Sequence, residues 1–408
     1  MKLIIAASRA GRHAGIPSYC TAHPETLRAI FRCYRDNSKP ILIEATCNQV
    51  NQEGGYTGMK PADFQEFVFA LAREVDVDRS RIILGGDHLG PNPWKNLLAS
   101  QAMAKARDLV RCYVEAGFTK IHLDASMACT DDRTLSETEM AARAAELCAV
   151  AEKQAGGAEL LYIIGTEVPI PGGETEIIDS LAVTKPEAAL RTYELHRSAF
   201  SKLGLETALK RVIGIVVQPG VDFGNSQIFG FDKAKAASLA ATTEQIPNAV
   251  FEAHSTDYQT PQALHDLVAS RFAILKVGPE LTAAYREAIV AMACIEERLP
   301  IALKSNIMSV IAKVMDANPN YWQGYIANDE RAELMKIFGL SDRIRYYWPD
   351  RTIQEALKIL HSNIDRASDE IGLVAQFADL PEQRVLPLSQ EIIQVKVSAV
   401  VNKYLFAC

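Results

Sequence analysis

Eight short apolar runs, each followed by a helix-like segment, dominate most of this 408-residue chain. The runs are continuous in Val, Ile and Leu and do not alternate with polar residues, which is typical of parallel strands buried on both faces. They span 16–22, 40–46, 81–87, 120–125, 160–167, 211–218, 249–254 and 272–277. Repeated alternation of this kind favours an α/β fold of the closed (β/α)8, or TIM, barrel type over an open doubly wound sheet.

Helix-like segments fill the intervals between the predicted strands, at 24–36, 60–75, 99–117, 136–155, 185–203, 232–243 and 261–269. After Pro300 the alternation stops, and four further segments look helical, at 301–317, 329–338, 353–364 and 389–404. We therefore predict a barrel domain of residues 1–298 and a C-terminal helical extension, 299–408, packed on it. An independent interaction module is the alternative interpretation of the extension.

Composition limits the class of protein. The formal net charge of −7 argues against a broad nucleic-acid or anionic-membrane surface, because such partners need a basic excess. No apolar run approaches the length of a membrane span, and the N-terminus does not have the pattern of a signal peptide. The eight cysteines include no C-x-x-C pair, which predicts reduced thiols in a cytoplasmic protein.

Polar residues of the kinds that bind metals and transfer protons stand at the C-terminal ends of the predicted strands. They are Asp87 and His88 at the third strand, Asp124 at the fourth, Glu167 at the fifth, Gln218 at the sixth and His254 at the seventh. In a barrel these ends form one rim, where the active site lies. We expect His88, Glu167 and His254 to converge on one divalent metal, with Gln218 near a further ligand position.

Carboxylates near such a metal can act as acid/base groups. Asp87 is the first candidate, and Asp124 and Glu44 are further catalytic candidates. Each has an alternative structural role, since a strand-end carboxylate commonly caps a helix or pairs with a loop cation. A His in an apolar run is commonly a packing residue, and His122 can be interpreted as facing the helix layer.

Loops rich in glycine and amides are candidates for binding a phosphorylated sugar. The loops after strands seven and eight, the usual phosphate site of this fold, contain Ser255, Thr256, Lys276 and Gly278. Amides both donate and accept hydrogen bonds, which suits a polyhydroxylated substrate. The remaining candidates are Asn48, Gln49, Asn92, Ser126, Glu174, Arg343 and Arg345. Ser255 and Thr256 could instead cap the next helix, and the stretch with both arginines could instead form a subunit contact.

Five motifs make the chain resemble a known family. They are G-G-D-H-L-G-P-N at Asp87, K-I-H-L-D-A-S at Asp124, G-T-E-V-P with G-G-E at Glu167 and Glu174, E-A-H-S-T-D-Y-Q-T at His254, and L-S-D-R-I-R-Y-Y-W-P at 340–349. They closely resemble the second, so-called non-catalytic, subunit of the heteromeric class II tagatose-1,6-bisphosphate aldolases.

The resemblance implies a barrel related to the metal-dependent class II ketose-bisphosphate aldolases and a place in galactitol, tagatose or N-acetylgalactosamine catabolism. It implies acid/base and metal-ligand roles for Asp87 and His88, and metal-side roles for Glu167 and His254. Where the catalytic aldolases have another His after strand six, this chain has Gln218, whose neutral amide binds zinc more weakly. The implied cofactor is a divalent metal, zinc first, with manganese and magnesium as alternatives.

Three functions fit the sequence. The chain could be a component of a tagatose-1,6-bisphosphate aldolase with a metal-dependent ketose-phosphate site of its own, an epimerase converting tagatose 6-phosphate into fructose 6-phosphate, or a sugar-phosphate-binding barrel without chemistry. A kinase is disfavoured, because neither a P-loop nor a kinase-type glycine motif is present. The expected partners are a ketohexose phosphate, a class II aldolase catalytic subunit and other subunits of a homo- or hetero-oligomer.

Overall fold

The computed structural model describes residues 1–166, 181–327 and 329–408. At its centre, eight parallel strands form a closed barrel in which spatial order follows chain order and the last strand pairs with the first. The strands are β1 (Ile16–Cys20), β2 (Ile41–Thr46), β3 (Ile82–Leu89), β4 (Lys120–Leu123), β5 (Leu161–Ile164), β6 (Val212–Val217), β7 (Val250–Ala253) and β8 (Phe272–Val277). Each coincides with one predicted run, so the predicted (β/α)8 barrel is confirmed.

Fifteen α-helices lie in the described ranges. They are α1 (Lys2–Arg9), α2 (Pro24–Tyr34), α3 (Pro61–Glu74), α4 (Ala99–Glu115), α5 (Glu137–Ala155), α6 (Pro186–Lys202), α7 (Glu206–Leu209), α8 (Lys233–Ala241), α9 (Pro261–Ala269), α10 (Pro279–Arg298), α11 (Ile307–Ala317), α12 (Ala332–Phe338), α13 (Arg351–Arg366), α14 (Ile371–Val374) and α15 (Leu388–Ala407). Five of them begin at a proline, whose missing N–H is not needed in the first turn of a helix. α10 completes the eighth β/α unit.

Helices α1, α7, α10 and α14 were not predicted from the sequence, and two further elements differ from the expectation. The helix predicted over 301–317 begins only at Ile307, because Asn306 has a left-handed backbone with φ 51° and breaks the preceding turn. A short antiparallel pair, Asp222–Phe223 with Ile228–Phe229, follows β6 and was not predicted. Neither difference alters the barrel.

Helix α1 closes the N-terminal end of the barrel. Its Ile5 is buried and packs with Ile16, Leu42, Ile163 and Ile274, whose side chains form the lowest interior layer of the barrel. The interior is thus apolar at this end. Polar side chains occupy the layers above it.

The C-terminal helices pack on the barrel helices. α15 contacts α2, α9 and α10, and α13 contacts α10 and α11. Tyr404 of α15 donates a 2.8 Å hydrogen bond to the carbonyl oxygen of Thr256, in the loop after β7. The C-terminal helix therefore supports a loop at the rim, while the division of the chain at residue 298 stays a prediction.

Two further expectations from the sequence concern the state of the cysteines and the presence of membrane-spanning helices. All eight cysteines lie in described segments and are unpaired thiols, as predicted. Among the helices of the described ranges, none has the length and apolar character needed to cross a bilayer.

The turn after β3 approaches β4 so closely that only glycine fits at residue 90. A Cβ atom built on Gly90 would lie 1.6 Å from the carbonyl oxygen of Asp124. The same approach lets the Asp124 N–H donate to the Leu89 carbonyl at 3.1 Å. Gly90 thereby holds the ends of β3 and β4 together at the rim.

We predict that Gly90→Ala destabilises the protein by about 3 kcal/mol or more, since the backbone of Asp124 has to move to admit the methyl group. Urea unfolding followed by circular dichroism measures this. Gly230→Ala is the matched control, because a Cβ at Gly230 meets nothing within 4 Å. Equal stability of the two variants would contradict the packing described here.

Candidate active site

A cavity of about 380 Å³ opens at the C-terminal rim of the barrel. Strand ends and the loops after them supply one side of its lining, including Asp87, His88, His254 and Lys276. Arg345, Tyr346 and Trp348, from the segment between α12 and α13, supply the other. The rim predicted from the sequence therefore faces a cavity of ligand size.

A β-bulge brings two consecutive residues of β3 to this cavity. Side chains of a strand normally alternate between its faces, and Gly85 accordingly faces Glu44 inside the barrel while Gly86 faces Tyr113 of a surrounding helix. The pairing of β3 with β4 shifts register between Gly86 and Leu89, and His88 has φ 50°. Because of this bulge, His88 turns inward and lines the cavity beside Asp87.

His88 is held by a carboxylate from the neighbouring strand. Its Nδ1 lies 2.7 Å from Asp124 Oδ2, while the N–H and hydroxyl of Ser126 donate to Asp124 Oδ1. Burial disfavours the charged ring, but Asp87 and Asp124 outweigh it and raise the pKa of His88. Asp124 therefore orients the imidazole, and Ser126 acts on Asp124 and does not line the cavity.

His122 points into the barrel, so its placement in the helix layer was wrong. It is fully buried, and its Nδ1 lies 2.9 Å from Asp87 Oδ1. The reason is the two-residue period of a strand, which puts Lys120, His122 and Asp124 on one face of β4. Since Asp124 was expected at the site, the same period, had it been applied, would have placed His122 and Lys120 beside it.

Four buried side chains form a group that can hold a metal ion. Ligand atoms of Asp87, His122, Glu252 and His254 all lie within 4.8 Å of one another. Burial, partly offset by the bond to Glu252, lowers the pKa of His254 to about 3, so its ring is neutral and can act as a ligand near neutral pH. His122 Nε2 is buried with no hydrogen-bond partner among the described residues, which leaves one nitrogen available to a cation.

Glu252 of this group also belongs to a closed ring of four buried charges, which we call the ionic ring and which consists of Glu44, Lys120, Glu252 and Lys276. Lys120 Nζ lies 2.5 Å from Glu44 and 2.8 Å from Glu252, and Lys276 Nζ lies 2.5 Å from Glu44 and 3.9 Å from Glu252. Lys276 also reaches up to Asp87 Oδ1 at 2.6 Å. Each lysine therefore bridges two carboxylates, and Lys276 joins the ring to the cavity.

The charges of these layers do not balance without a cation. Four buried carboxylates (Glu44, Asp87, Asp124, Glu252) face two buried ammonium groups (Lys120, Lys276). The two ammonium groups leave an excess of negative charge, which the imidazole of His88, with its raised pKa, offsets only in part. Uncompensated charge is costly in a region of low dielectric, and a cation held by the metal-binding side chains would reduce the excess.

Neighbouring cationic side chains keep Asp87 and Glu252 ionised. Burial opposes ionisation of Asp87, but His88 and Lys276 outweigh it and hold the pKa of this carboxyl well below its usual range. Burial likewise opposes ionisation of Glu252, but Lys120 and Lys276 lower its pKa. Both groups are therefore carboxylates at neutral pH.

The structure places Gln218 away from the metal-binding group. Its Oε1 accepts the backbone N–H groups of Gly220 at 2.8 Å and Val221 at 2.9 Å, and the residue does not line the cavity. The oxygen that was expected near a ligand position thus stabilises the turn after β6. This differs from the expectation because Pro219-Gly220 turns the chain directly after the strand.

Predicted substrate-binding residues divide into two sets. Those that line the cavity are Asn48, Gln49, Ser255, Lys276, Gly278 and Arg345, and those that do not are Asn92, Ser126, Thr256 and Arg343. The Thr256 hydroxyl donates to the Lys276 carbonyl at 2.7 Å, and the Arg343 guanidinium stacks on Tyr325 at 3.5 Å and donates to Tyr321. Lys276 serves the ionic ring, so it is not free for a phosphate. Glu167 and Glu174 lie outside the described residues.

Asp257 lines the cavity and was not singled out from the sequence. Its Oδ1 accepts the N–H groups of Gly278 at 2.9 Å and Glu280 at 2.8 Å, at the N-terminus of α10. Burial is the main cause that raises the pKa of Asp257 to about 7. Three further residues that contribute to the rim or the layers below it were not identified from the sequence: Lys120, Glu252 and His23. The two-residue period of β4 and β7 could have identified Lys120 and Glu252.

We predict that Lys120→Met destabilises the protein by about 3–5 kcal/mol, because it removes one of the two ammonium groups that Glu44 and Glu252 share in the ionic ring. Urea unfolding measures this. Lys105→Met is the control, since Lys105 pairs with Glu53 at the exposed surface and such pairs contribute about 1 kcal/mol or less. A loss at Lys120 no larger than that at Lys105 would refute the ring.

A second prediction concerns pH. A folded-state pKa of about 7 against an ordinary value of 3.8 means that the folded protein binds the Asp257 proton more tightly. This group therefore makes its full contribution to stability below about pH 4 and loses it as pH rises towards 7. The stability of Asp257→Asn relative to wild type should increase between pH 5 and pH 8 in urea titrations, and a difference independent of pH would contradict the assignment.

Comparisons with known proteins agree along the whole chain. The family model of D-tagatose-1,6-bisphosphate aldolase subunit GatZ/KbaZ-like matches residues 1–408. Proteins named D-tagatose-1,6-bisphosphate aldolase subunit GatZ from Salmonella paratyphi B and Salmonella typhimurium are 48% identical over 419 residues, covering 100% of this chain and 99% of theirs. A crystal structure from Sinorhizobium meliloti 1021, described as a probable tagatose 6 phosphate kinase, is 46% identical with a TM-score of 0.89, covering 97% of this chain and 100% of that one. The chain therefore belongs to the GatZ/KbaZ-like family of D-tagatose-1,6-bisphosphate aldolase subunits.

Proposed function

We propose that this chain has an active site of its own for metal-dependent aldol chemistry on a ketohexose phosphate, and that it converts tagatose 6-phosphate into fructose 6-phosphate by inverting C4. The observation that carries this proposal is the buried group Asp87, His122, Glu252 and His254 at the floor of a cavity of about 380 Å³. A purely structural subunit gains nothing from burying these groups together. Their desolvation instead lowers stability unless a bound ion offsets it.

His122, Glu252 and His254, with Asp87 beside them, suit zinc, which keeps three protein ligands and an open position at a catalytic site, and manganese is the nearest alternative. Their unbalanced negative charge and the unpartnered His122 Nε2 support a divalent ion at this place. When bound, such an ion supplies Lewis-acid stabilisation of the negative charge that develops on the ketose oxygens during cleavage. Glu167 is proposed as a further metal-side residue on the family resemblance alone.

Asp87 is the proposed acid/base group. Its carboxylate takes the proton of the C4 hydroxyl, the bond between C3 and C4 breaks, and the electron pair passes to the C2–C3 unit. The aldehyde then presents its opposite face, the C3–C4 bond forms again, and Asp87 returns the proton to the C4 oxygen. Protons and electrons balance, so no co-reactant is required. The Lys276 ammonium, 2.6 Å from Asp87 Oδ1, holds the carboxylate in position between the two steps.

Charge in the cavity favours a substrate with one phosphate. Lys276 and Arg345 are the lysines and arginines among the described residues that line it, and Lys276 is committed to the ionic ring. The sequence of residues 167–180 contains no Lys, Arg or His. Arg345 is thus the cation available to a phosphate, and its partners Ser341, Asp342 and Tyr346 hold its guanidinium in place.

A second candidate function follows from the names of the relatives, which describe aldolase subunits. On this hypothesis the chain binds a separate class II aldolase barrel and supports its folding or rate on tagatose 1,6-bisphosphate. Kinase activity stays disfavoured, since the sequence contains no P-loop or kinase-type glycine motif. The two candidates differ in whether the chain acts alone.

We predict that the purified protein alone, stripped with a chelator and reloaded with zinc, manganese or magnesium, converts tagatose 6-phosphate into fructose 6-phosphate. Proton and phosphorus NMR follow the reaction, and elemental analysis measures the bound metal. Asp87→Asn should lower kcat by at least about 100-fold, because it removes the acid/base group. His254→Ala should lower the bound metal per chain, which is a readout independent of turnover.

Asp108→Asn is the control for the Asp87 variant, since Asp108 is an exposed residue of α4 that does not line the cavity. It should leave both rate and metal content unchanged. Absence of turnover with all three metals, together with no effect of Asp87→Asn, would refute the proposed activity. A gain in the rate or stability of an added aldolase barrel would then support the second candidate.

A further inference from the structure

The N-terminus of α10 is the natural anion site of this barrel, and a carboxylate of the chain itself already fills it. Asp257 Oδ1 accepts the N–H groups of Gly278 and Glu280 at 2.9 and 2.8 Å. α10 has 20 residues, so its first amides carry the positive end of a full helix dipole. These are the amides that would otherwise bind a phosphate in the loop after β8.

A second carboxylate lies at the same helix end. Glu280 Oε2 accepts the N–H of Tyr258 at 2.7 Å, and its other oxygen pairs with Lys403 of α15. A phosphate brought to the Gly278 amide would therefore meet Asp257 directly and Glu280 close by. Like charges at such distances cost several kcal/mol.

Another part of the cavity lining is cationic. Arg345 contributes a guanidinium there. Burial disfavours its charged form, but the neighbouring tyrosine and aspartate side chains outweigh burial and raise the pKa of Arg345, so the group stays charged. A substrate with one terminal phosphate can thus place that phosphate at Arg345 and its uncharged end at Asp257. Asp257 can also accept a hydrogen bond from a hydroxyl at that end.

We propose that Asp257 is a specificity-determining residue which occupies the anion site at the N-terminus of α10, so that the cavity accepts a ketohexose monophosphate and rejects a bisphosphate. This inference rests on the proposed function for the identity of the sugar. The occupied anion site itself can be tested without a sugar. The sequence motifs did not identify Asp257 in this role, because the sequence of the loop after β7 is equally compatible with a loop that binds phosphate.

The first test uses inorganic phosphate at pH 8 and thermal unfolding of wild type, Asp257→Ala and Asp108→Asn. Removing the carboxylate frees the Gly278 and Glu280 amides, so phosphate should raise the Tm of Asp257→Ala by at least about 2 °C more than that of wild type. Asp108→Asn removes an exposed carboxylate and should respond as wild type does. Equal responses of all three proteins would overturn the proposal.

A second variant covers the case in which Asp257→Ala folds poorly. Asp257→Asn keeps an oxygen that can accept both amide hydrogen bonds and removes the charge. Calorimetric titration should show that wild type binds tagatose 6-phosphate more tightly than tagatose 1,6-bisphosphate, and that Asp257→Asn shifts the ratio towards the bisphosphate by about tenfold. An unchanged ratio in this variant would also overturn the proposal.

Failure of the proposed activity and failure of the Asp257 proposal give different results. Loss of the proposed activity would appear as absence of turnover of tagatose 6-phosphate by wild type, whatever the phosphate response of the variants. Failure of the Asp257 proposal would appear as an unchanged phosphate response and an unchanged affinity ratio in a wild type that still turns over the monophosphate. Rescue of Asp257→Ala by phosphate supports the proposal in either case.

Discussion

The ionic ring of Glu44, Lys120, Glu252 and Lys276 sets the conditions for everything above it. Four charges buried inside a barrel are tolerated only because each lysine bridges two carboxylates from other strands. The ring therefore ties β2, β4, β7 and β8 together at one depth. It also fixes the lower boundary of the cavity, since Lys276 extends from the ring to Asp87.

The polar side chains at the cavity depend on the ionic ring through Lys276, which contacts Asp87. Lys276 and His88 keep Asp87 ionised, while Asp124 keeps His88 in place. The bulge in β3 is essential to this arrangement, because a regular strand would send His88 outward. Excess negative charge lies beside the ring nitrogens of His122 and His254, and this combination favours the protein with a bound cation over the empty protein.

The rim also separates two kinds of charge. Arg345 lines the cavity from the C-terminal segment, whereas the N-terminus of α10 is occupied by the side chain of Asp257. α15 reinforces this end through the hydrogen bond of Tyr404 to Thr256 and the pairing of Lys403 with Glu280. The C-terminal helices thus influence the site through the loops they support, as well as through the residues they place in it.

Sequence alone determined the barrel, because eight apolar runs of strand length separated by amphipathic helices can bury their side chains in few other ways. It also located the rim residues Asp87, His88, Asp124 and His254, since strand ends of a parallel barrel meet at one mouth. The two-residue period would have added Lys120, His122 and Glu252 had it been applied to β4 and β7. What only the tertiary structure decided is which groups contact one another: the bulge that turns His88 inward, the use of the Gln218 oxygen by its own turn, the commitment of Lys276 to the ionic ring, and the occupation of a helix N-terminus by Asp257. These depend on distances between strands and loops far apart in the chain, which residue types and local spacing do not specify.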